Sequence, residues 1–378
     1  MSFRLAAAAR RFALSFSLRG AAKCAVVSPP APMSNQPAEK PPSSRPADSE
    51  RQKAPPSSRA DSGLRPYVTS EPPPPPRQEG SLLWRLGGVI RTVRPHQWVK
   101  NIFVLAPVVF AKEIFDTLLL ARAAGAFAVF CLLAGAVYTM NDLADREADQ
   151  RHPVKRFRPI ASGRVPTSAA RALTGILIVS SFAGAAMTSW EFLVVTAAYF
   201  GLNLAYSLRL KHVAYLDVAC IAAGFVLRVV GGGFATRIHV SHYLLLCTAL
   251  LALFLGFGKR RHELAAAASG ASKQRAALES YSRKGLDLSL VATATATVVT
   301  YIAYTLDSRT RAFFQTDWLW VSTLFVVLGV LRFVHLVRSR PRAESPTQEM
   351  LRDGAFVGIV LSWAMLVMWV VYNLRPSP

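Results

Sequence analysis

The chain has 378 residues, is 52% hydrophobic and carries a formal net charge of +22 at pH 7. The basic excess alone would fit nucleic acid, but past residue 80 it sits in short loops between long apolar runs, which points to a membrane instead. Four widely spaced cysteines (Cys24, Cys131, Cys220, Cys247) with no CxxC give no support to a zinc site or a disulfide framework, and read as small buried hydrophobes.

Residues 1–80 hold fifteen of the twenty-four prolines, among them Pro72 to Pro76, mixed with Ser, Arg and Ala. Such a stretch buries too little apolar surface to offset its ordering entropy, so a disordered tail is expected there. Its first residues, MSFRLAAAARRFALSFSLRGAAKC, contain no acid before Glu39. They have the composition of a transit peptide. An upstream extension of the tail, with Met33 as an alternative start, reads equally well.

A second domain, residues 81–378, is expected to be all-α and polytopic, with about nine apolar stretches of membrane length. They run approximately over 100–117, 119–140, 169–187, 191–208, 214–235, 241–258, 288–306, 317–337 and 354–373. The first is the weakest, interrupted by Pro107 and by Lys112–Glu113. Lys and Arg concentrate in the loops after the second, fourth, sixth and eighth stretches, while the alternate loops are poor in them. That bias places the tail in the cytoplasm and the C-terminus outside.

Four charged motifs fall on the cytoplasmic side of this scheme. RPHQWVKN (94–101) precedes the first stretch and offers Arg94, Lys100 and Asn101, either as ligand contacts or as residues snorkelling at the membrane edge. NDLADREADQRHPVKRFRPIASG (141–163) follows the second. Asp142, Asp145 and Asp149 are spaced i, i+3, i+7 and project from one side of a helix, with Asn141 beside them. Carboxylates so close repel one another unless a cation sits among them, and hard oxygen ligands suit Mg²⁺. Pro153 stops the helix, and Lys155, Arg156 and Arg158 follow at once. Acid-held metal and nearby cations are the two halves of a diphosphate clamp. An acidic solvated helix end followed by a solvated basic loop is the bland alternative.

YSLRLKHVAYLD brings Tyr206, Lys211 and Asp217 to the same side, and GKRRHE (258–263) adds Lys259. Asp217 and Arg228 lie three helical turns apart, so Arg228 is either functional or paired with an acid inside the bundle. No GxSxG, P-loop or GxGxxG occurs, so hydrolase, NTPase and dinucleotide readings have no anchor.

The pattern NDxxDxxxD resembles the first signature of the UbiA superfamily of intramembrane prenyltransferases. Together, RPHQWVKN, the 141–163 string, YSLRLKHVAYLDV with GFVLR, and GKRRHE resemble its decaprenyl-phosphate phosphoribosyltransferase branch over residues 85 to 375. The resemblance implies a bundle of about nine helices around a lateral cavity, with Mg²⁺ and a diphosphate at the cytoplasmic end. It implies transfer of a 5-phosphoribosyl group from phosphoribosyl diphosphate to a polyprenyl phosphate, for a lipid-linked pentose donor used in cell-envelope polysaccharide synthesis.

By the same resemblance, Asp142, Asp145 and Asp149 are catalytic and with Asn141 hold the metal. Lys155, Arg156 and Arg158 contact donor phosphates, as do Lys100 and Lys211. Asn101, Tyr206, Asp217 and Lys259 complete the substrate contacts. The family's second signature usually carries two aspartates; here only Asp217 is present, which argues against an allylic diphosphate donor. The resemblance further implies a bacterial inner-membrane location and a homo-oligomer, with a trimer as one arrangement. Two other readings stand beside it: a UbiA-type enzyme that attaches a polyprenyl diphosphate to an aromatic or other acceptor, and a transporter or scaffold binding anionic lipid.

Overall fold

The structure, a computed structural model, describes residues 80–268, 278, 280–339, 350 and 352–373. They all fall within one unit spanning Thr69–Pro378. The tail expected over residues 1–80, Gly80 excepted, lies outside the described residues, as do Lys273, Arg275, Arg340 and Arg342 of the basic loops.

Twelve α-helices follow one another, with no strand among the described residues. They are α1 (Leu82–Val93), α2 (Ala106–Phe110), α3 (Thr117–Ala144), α4 (Arg146–Gln150), α5 (Thr167–Thr188), α6 (Trp190–Leu208), α7 (Leu216–Thr236), α8 (His242–Ala268), α9 (Arg283–Leu306), α10 (Ser308–Phe314), α11 (Thr323–Ser339) and α12 (Gly354–Asn373). Among the described residues, eight helical segments are long and apolar enough to cross a membrane: α3, α5, α6, α7, α8, α9, Trp318–Arg338 and α12. The protein is an integral, multi-pass membrane protein.

The first predicted span is not among the eight. Residues 95–110 form an eleven-residue 3-10 helix, Pro95–Leu105, followed by the single short helix α2. Pro95 sets φ at the start, and Pro107 has no N–H and crowds the turn before it, so a continuous α-helix is excluded. At the junction the Ala106 N–H donates to Phe103 O, three residues back. This segment nevertheless packs along α3. Arg94 reaches Asp142 near the C-terminal end of α3. At the other end Lys112 donates to Phe314 O, and Asp116 caps α3 by accepting from Leu118 and Leu119 N–H. Eleven residues of 3-10 helix rise about 22 Å, and five of α-helix add about 7 Å.

The 3-10 helix is held between α3 and α7. Its Val104 joins Phe130, Leu133, Phe192, Val195 and Tyr199 in a buried cluster linking α3, α6 and α7. The approach to α7 is very close: a Cβ on Gly232 would stand 2.0 Å from Val104 O. This explains Gly232, where only a bare backbone fits; on either side Gly231 leaves room for the Phe130 ring and Gly233 for Val240. A second cluster, Phe254, Leu290, Ala294, Val330, Phe333 and Val337, ties α8, α9 and α11 together. Leu118, Ile176, Val179, Leu288, Leu328 and Leu361 stay exposed on the spans, as helix faces toward lipid should.

Candidate active site

The acidic motif straddles the end of α3. Backbone bonds from Asp145 N to Asn141 O and from Asp149 N to Asp145 O carry the helical path from α3 into α4. Seven residues of helix turn to within about 20° of two full turns, so Asp142 and Asp149 share a direction, whereas Asp145 is about 60° away. The burial agrees: Asp142 is 2% exposed and Asp149 3%, while Asp145 is exposed and Asn141 half-buried. Of the three carboxylates expected on one helix side, two are buried and the third, Asp145, is exposed beside them.

Two arginines answer the buried pair. Arg94 Nη2 lies 2.6 Å from Asp142 Oδ1. Arg158 Nη1 lies 3.2 Å from the same oxygen and 2.7 Å from Asp149 Oδ2. Arg94 is aimed by its left-handed backbone (φ 56) between α1 and the 3-10 helix and rests over the Tyr138 ring, 5.1 Å from its centroid. Arg158 follows the 3-10 turn Lys155–Phe157. In that turn Arg156 stacks on Phe157 at 4.9 Å, and Lys155 is exposed.

Deeper in the bundle lies a second group of cations. Arg228, on α7, is 7% exposed. Its Nε donates to Asn101 Oδ1 at 2.7 Å, its Nη2 to Tyr199 Oη at 2.7 Å and its Nη1 to Gly224 O at 2.9 Å. Asn101 donates its amide N–H to Cys131 Sγ at 3.2 Å, which fixes which way the amide faces. Neighbouring Lys100 keeps solvent-accessible surface, yet its ammonium is pushed down to about 8. Desolvation contributes most, followed by the positive charges of Lys259, Arg228 and Arg94. Lys100 is thus within electrostatic reach of Arg228 on α7, Lys259 on α8 and Arg94 at the carboxylates.

Asp217 is placed differently from its expected neighbours. It is 1% exposed, ion-paired through Oδ2 with Arg260 Nε at 2.7 Å, and its Oδ1 accepts from Tyr281 Oη at 2.5 Å. Arg260 also pairs with Glu263, and Tyr206 belongs to its electrostatic surroundings. The Tyr281 hydroxyl proton is held well above its ordinary pKa by burial and by Asp217. The pairing of Asp217 with Arg228 considered from sequence is not formed, since each has other partners. Lys211 is half-buried on the 3-10 turn Leu210–His212 that leads into α7.

The donor set around Asp142 suits a hard divalent cation. It is all oxygen, and Asp142 and Asp149 already share one cationic atom, Arg158 Nη1. Among the described residues no group of three or more His, Cys, Asp or Glu side chains converges as a metal cage. Asp142 and Asp149, with Asn141 and Asp145 alongside, could hold such a cation only if water or phosphate oxygens filled its remaining positions, an arrangement that Mg²⁺ tolerates.

Next to the cations lies an apolar cavity of about 510 Å³ walled by α8, α9, α11 and α12 and by Phe103 and Phe110. Phe103 packs edge-on against Phe225 at 5.0 Å, and Phe225 lies under Arg228 at 5.3 Å. A polar cluster and an apolar chamber thus meet at the 3-10 helix, as a lipid with an anionic headgroup requires.

Residues 102–357 match the UbiA prenyltransferase family. The chain belongs to that family. Within it, the decaprenyl-phosphate phosphoribosyltransferase of Mycolicibacterium smegmatis is 36% identical over 297 residues, covering 76% of this chain and 93% of the relative. The enzyme of that name from Mycobacterium tuberculosis is 36% identical over 286 residues, 75% of this chain and 93% of the relative. Among solved structures, a UbiA homolog from Archaeoglobus fulgidus bound to GPP and Mg²⁺ superposes with a TM-score of 0.57 at 18% identity, covering 76% of this chain and 98% of that one. The same homolog bound to DMAPP and Mg²⁺ gives 0.55. The UbiA fold is thereby established for this chain.

Sequence spacing brought out the acids and their near partner Arg158, but not the partners far along the chain. Arg94 lies 48 positions before Asp142, and Tyr199 lies 29 before Arg228. The signal available for Arg94 was its place in the basic string before the first stretch; Tyr199 carried none, being one aromatic among many in an apolar run.

Proposed function

We propose that this UbiA-family protein transfers the 5-phosphoribosyl group of phosphoribosyl diphosphate to a polyprenyl phosphate of decaprenyl type. The observation that carries the reading is the 36% identity to decaprenyl-phosphate phosphoribosyltransferases across 93% of their length. The apolar cavity beside a cation cluster supports it.

In this reading the donor sits at the end of α3. Asp142, Asp149, Asn141 and Asp145 hold Mg²⁺, which when bound neutralises the diphosphate and makes it a better leaving group. Lys155, Arg156 and Arg158, joined by Arg94, take phosphate oxygens that the metal does not. A lipid phosphate is already anionic near neutral pH, so no Ser, Cys or His is needed to activate it. One of its oxygens forms a bond to the anomeric carbon as the bond from that carbon to the diphosphate oxygen breaks. The electron pair leaves with diphosphate, and configuration inverts. The protein's work is to align the two and stabilise departing charge. Asn101 orients Arg228, and Asp217 positions the end of α8, which carries Lys259; Tyr206 and Lys211 border the same mouth.

The wider assignment follows. The enzyme resides in a bacterial inner membrane with residues 1–80 as a cytoplasmic tail, residues 81–378 as the catalytic domain and copies of the chain associating, as a trimer in one arrangement. Its product feeds lipid-linked pentose for cell-envelope polysaccharide. The structural neighbours bound to GPP and DMAPP favour a second reading, prenyl transfer to an acceptor. Purified protein in lipid nanodiscs, given labelled phosphoribosyl diphosphate and polyprenyl phosphate, separates the two. Label entering the organic phase supports phosphoribosyl transfer. Label confined to water, with turnover of a prenyl diphosphate instead, supports the second.

A further inference from the structure

Three arginines are buried among the described residues: Arg228, Arg260 and Arg261. Arg260 is paired with Asp217 and Glu263, and Arg261 with Asp287. Arg228 alone of the three has no carboxylate within ion-pair distance among the described residues. It is bonded to three neutral acceptors, Asn101, Tyr199 and Gly224, and flanked by the faces of Tyr199 and Phe225. Of its five N–H groups those contacts engage three.

Its place in the bundle sharpens the point. Arg228 points back toward the start of α7, as helix side chains do, so its guanidinium lies level with Gly224. That is eight residues, about 12 Å, inside the helix end. An uncompensated cation at such depth in a membrane protein is costly and marks a site for an anion. The nearby charges increase the demand, because Lys100 feels Arg228, Lys259 and Arg94, all of one sign. Phe225 packs both on Arg228 and on Phe103, and Phe103 in turn lines the apolar cavity.

We infer that Arg228, Lys100 and Lys259 form a phosphomonoester subsite for the lipid acceptor, distinct from the donor site at Asp142 and Asp149, with the prenyl chain entering the cavity past Phe103; Lys100, which the family resemblance gave to the donor phosphates, is thereby reassigned to the acceptor. This deepens the proposed function and rests on it for the acceptor's identity, but the subsite itself is a claim about binding. Two tiers of cations result. Arg94 and Arg158 lie at the carboxylates, while the Arg228 guanidinium lies level with Gly224, inside α7.

The test measures binding and kinetics separately. Farnesyl phosphate, farnesol and inorganic phosphate are titrated against the detergent-purified full chain and its Arg228→Gln and Lys100→Gln variants, with binding read by native mass spectrometry. Folding of each variant is checked by thermal unfolding, and Arg228→Lys and Lys100→Arg retain the charge if a neutral variant fails to fold. Farnesyl phosphate binding tighter than farnesol and than inorganic phosphate is expected, with each neutral variant weakening it about ten- to hundred-fold, the scale of charge-assisted hydrogen bonds. The lipid KM should rise by a similar factor while the donor KM moves less than about threefold. Equal binding of farnesyl phosphate and farnesol, or unchanged farnesyl phosphate binding in folded variants, overturns the subsite. So does a donor KM that rises as much as the lipid KM. If phosphoribosyl transfer fails while farnesyl phosphate binding follows this pattern, the subsite stands and the assigned reaction falls.

Discussion

Arg158 Nη1 stands 2.7 Å from Asp149 Oδ2 and reaches Asp142 Oδ1 with the same nitrogen. One guanidinium therefore holds two buried carboxylates that would otherwise repel. Removing it leaves those acids facing each other and withdraws a cation from the departing diphosphate. Arg158→Gln should lower kcat/KM for the donor about 10²-fold and reduce thermal stability. Asp142→Asn should cost at least as much activity while relieving the repulsion. Steady-state kinetics and differential scanning calorimetry on both variants check this; wild-type kinetics in Arg158→Gln would contradict it.

Gly232 sets the distance between α7 and the 3-10 helix that carries Lys100 and Asn101. Because a Cβ there would stand 2.0 Å from a backbone oxygen, Gly232→Ala should push the 3-10 helix away. Overpacking of this kind costs about 1–3 kcal/mol or more, and activity should fall further than stability because the polar cluster moves. A methyl group added at Gly125 would meet nothing within 4 Å, so Gly125→Ala is the matched control and should be neutral in both measurements.

Lys100 should impose an alkaline limit. Its ammonium loses its proton near 8 rather than at the usual 10.5, so the folded protein binds fewer protons than the unfolded chain between those values. Folding stability then rises with pH across that window, while the acceptor site loses a positive charge. A descending limb near pH 8 is expected in kcat/KM for the lipid, which reports the free enzyme. Lys100→Arg should remove the limb, because guanidinium stays charged. A limb that persists in Lys100→Arg would assign it to another group.

The acidic motif, the basic strings and seven of the helical spans were legible from local pattern, since hydropathy and i, i+4 spacing act over short distances. The span after residue 317 was also readable, although its first turn is 3-10 rather than α. What escaped was non-local. Pro107 signalled a break, but that residues 95–105 hold a long 3-10 helix depends on Gly232 lying across from Val104. Spacing grouped Asp142, Asp145 and Asp149 but did not show that two of them are buried while Asp145 stays exposed. Asp217 and Arg228 share a helix, yet each is claimed by residues far along the chain, Arg260 and Tyr281 for one, Asn101 and Tyr199 for the other.

Arg260 and Asp217 form a buried ion pair whose members are each 2% exposed at the side chain. Taking away one partner strands a charge, at a typical cost of about 3–5 kcal/mol. Arg260→Met should therefore be strongly destabilised in thermal unfolding. Tyr281→Phe, which removes the hydrogen bond donated to Asp217 and the one accepted from Tyr215 N–H but strands no charge, should lose less, about 2 kcal/mol. Comparable losses in the two variants would argue that the ion pair adds nothing beyond the hydroxyl contact.

The most direct measurement follows oxygen atoms. Polyprenyl phosphate carrying ¹⁸O in its phosphate is turned over once with unlabelled phosphoribosyl diphosphate, and the products are weighed by mass spectrometry. Attack by the lipid phosphate on the anomeric carbon predicts a lipid-linked phosphoribose that keeps every ¹⁸O, with unlabelled diphosphate released in equal amount. Release of ¹⁸O-labelled inorganic phosphate from the prenyl chain would contradict the account, because the bond broken would then be on the wrong substrate.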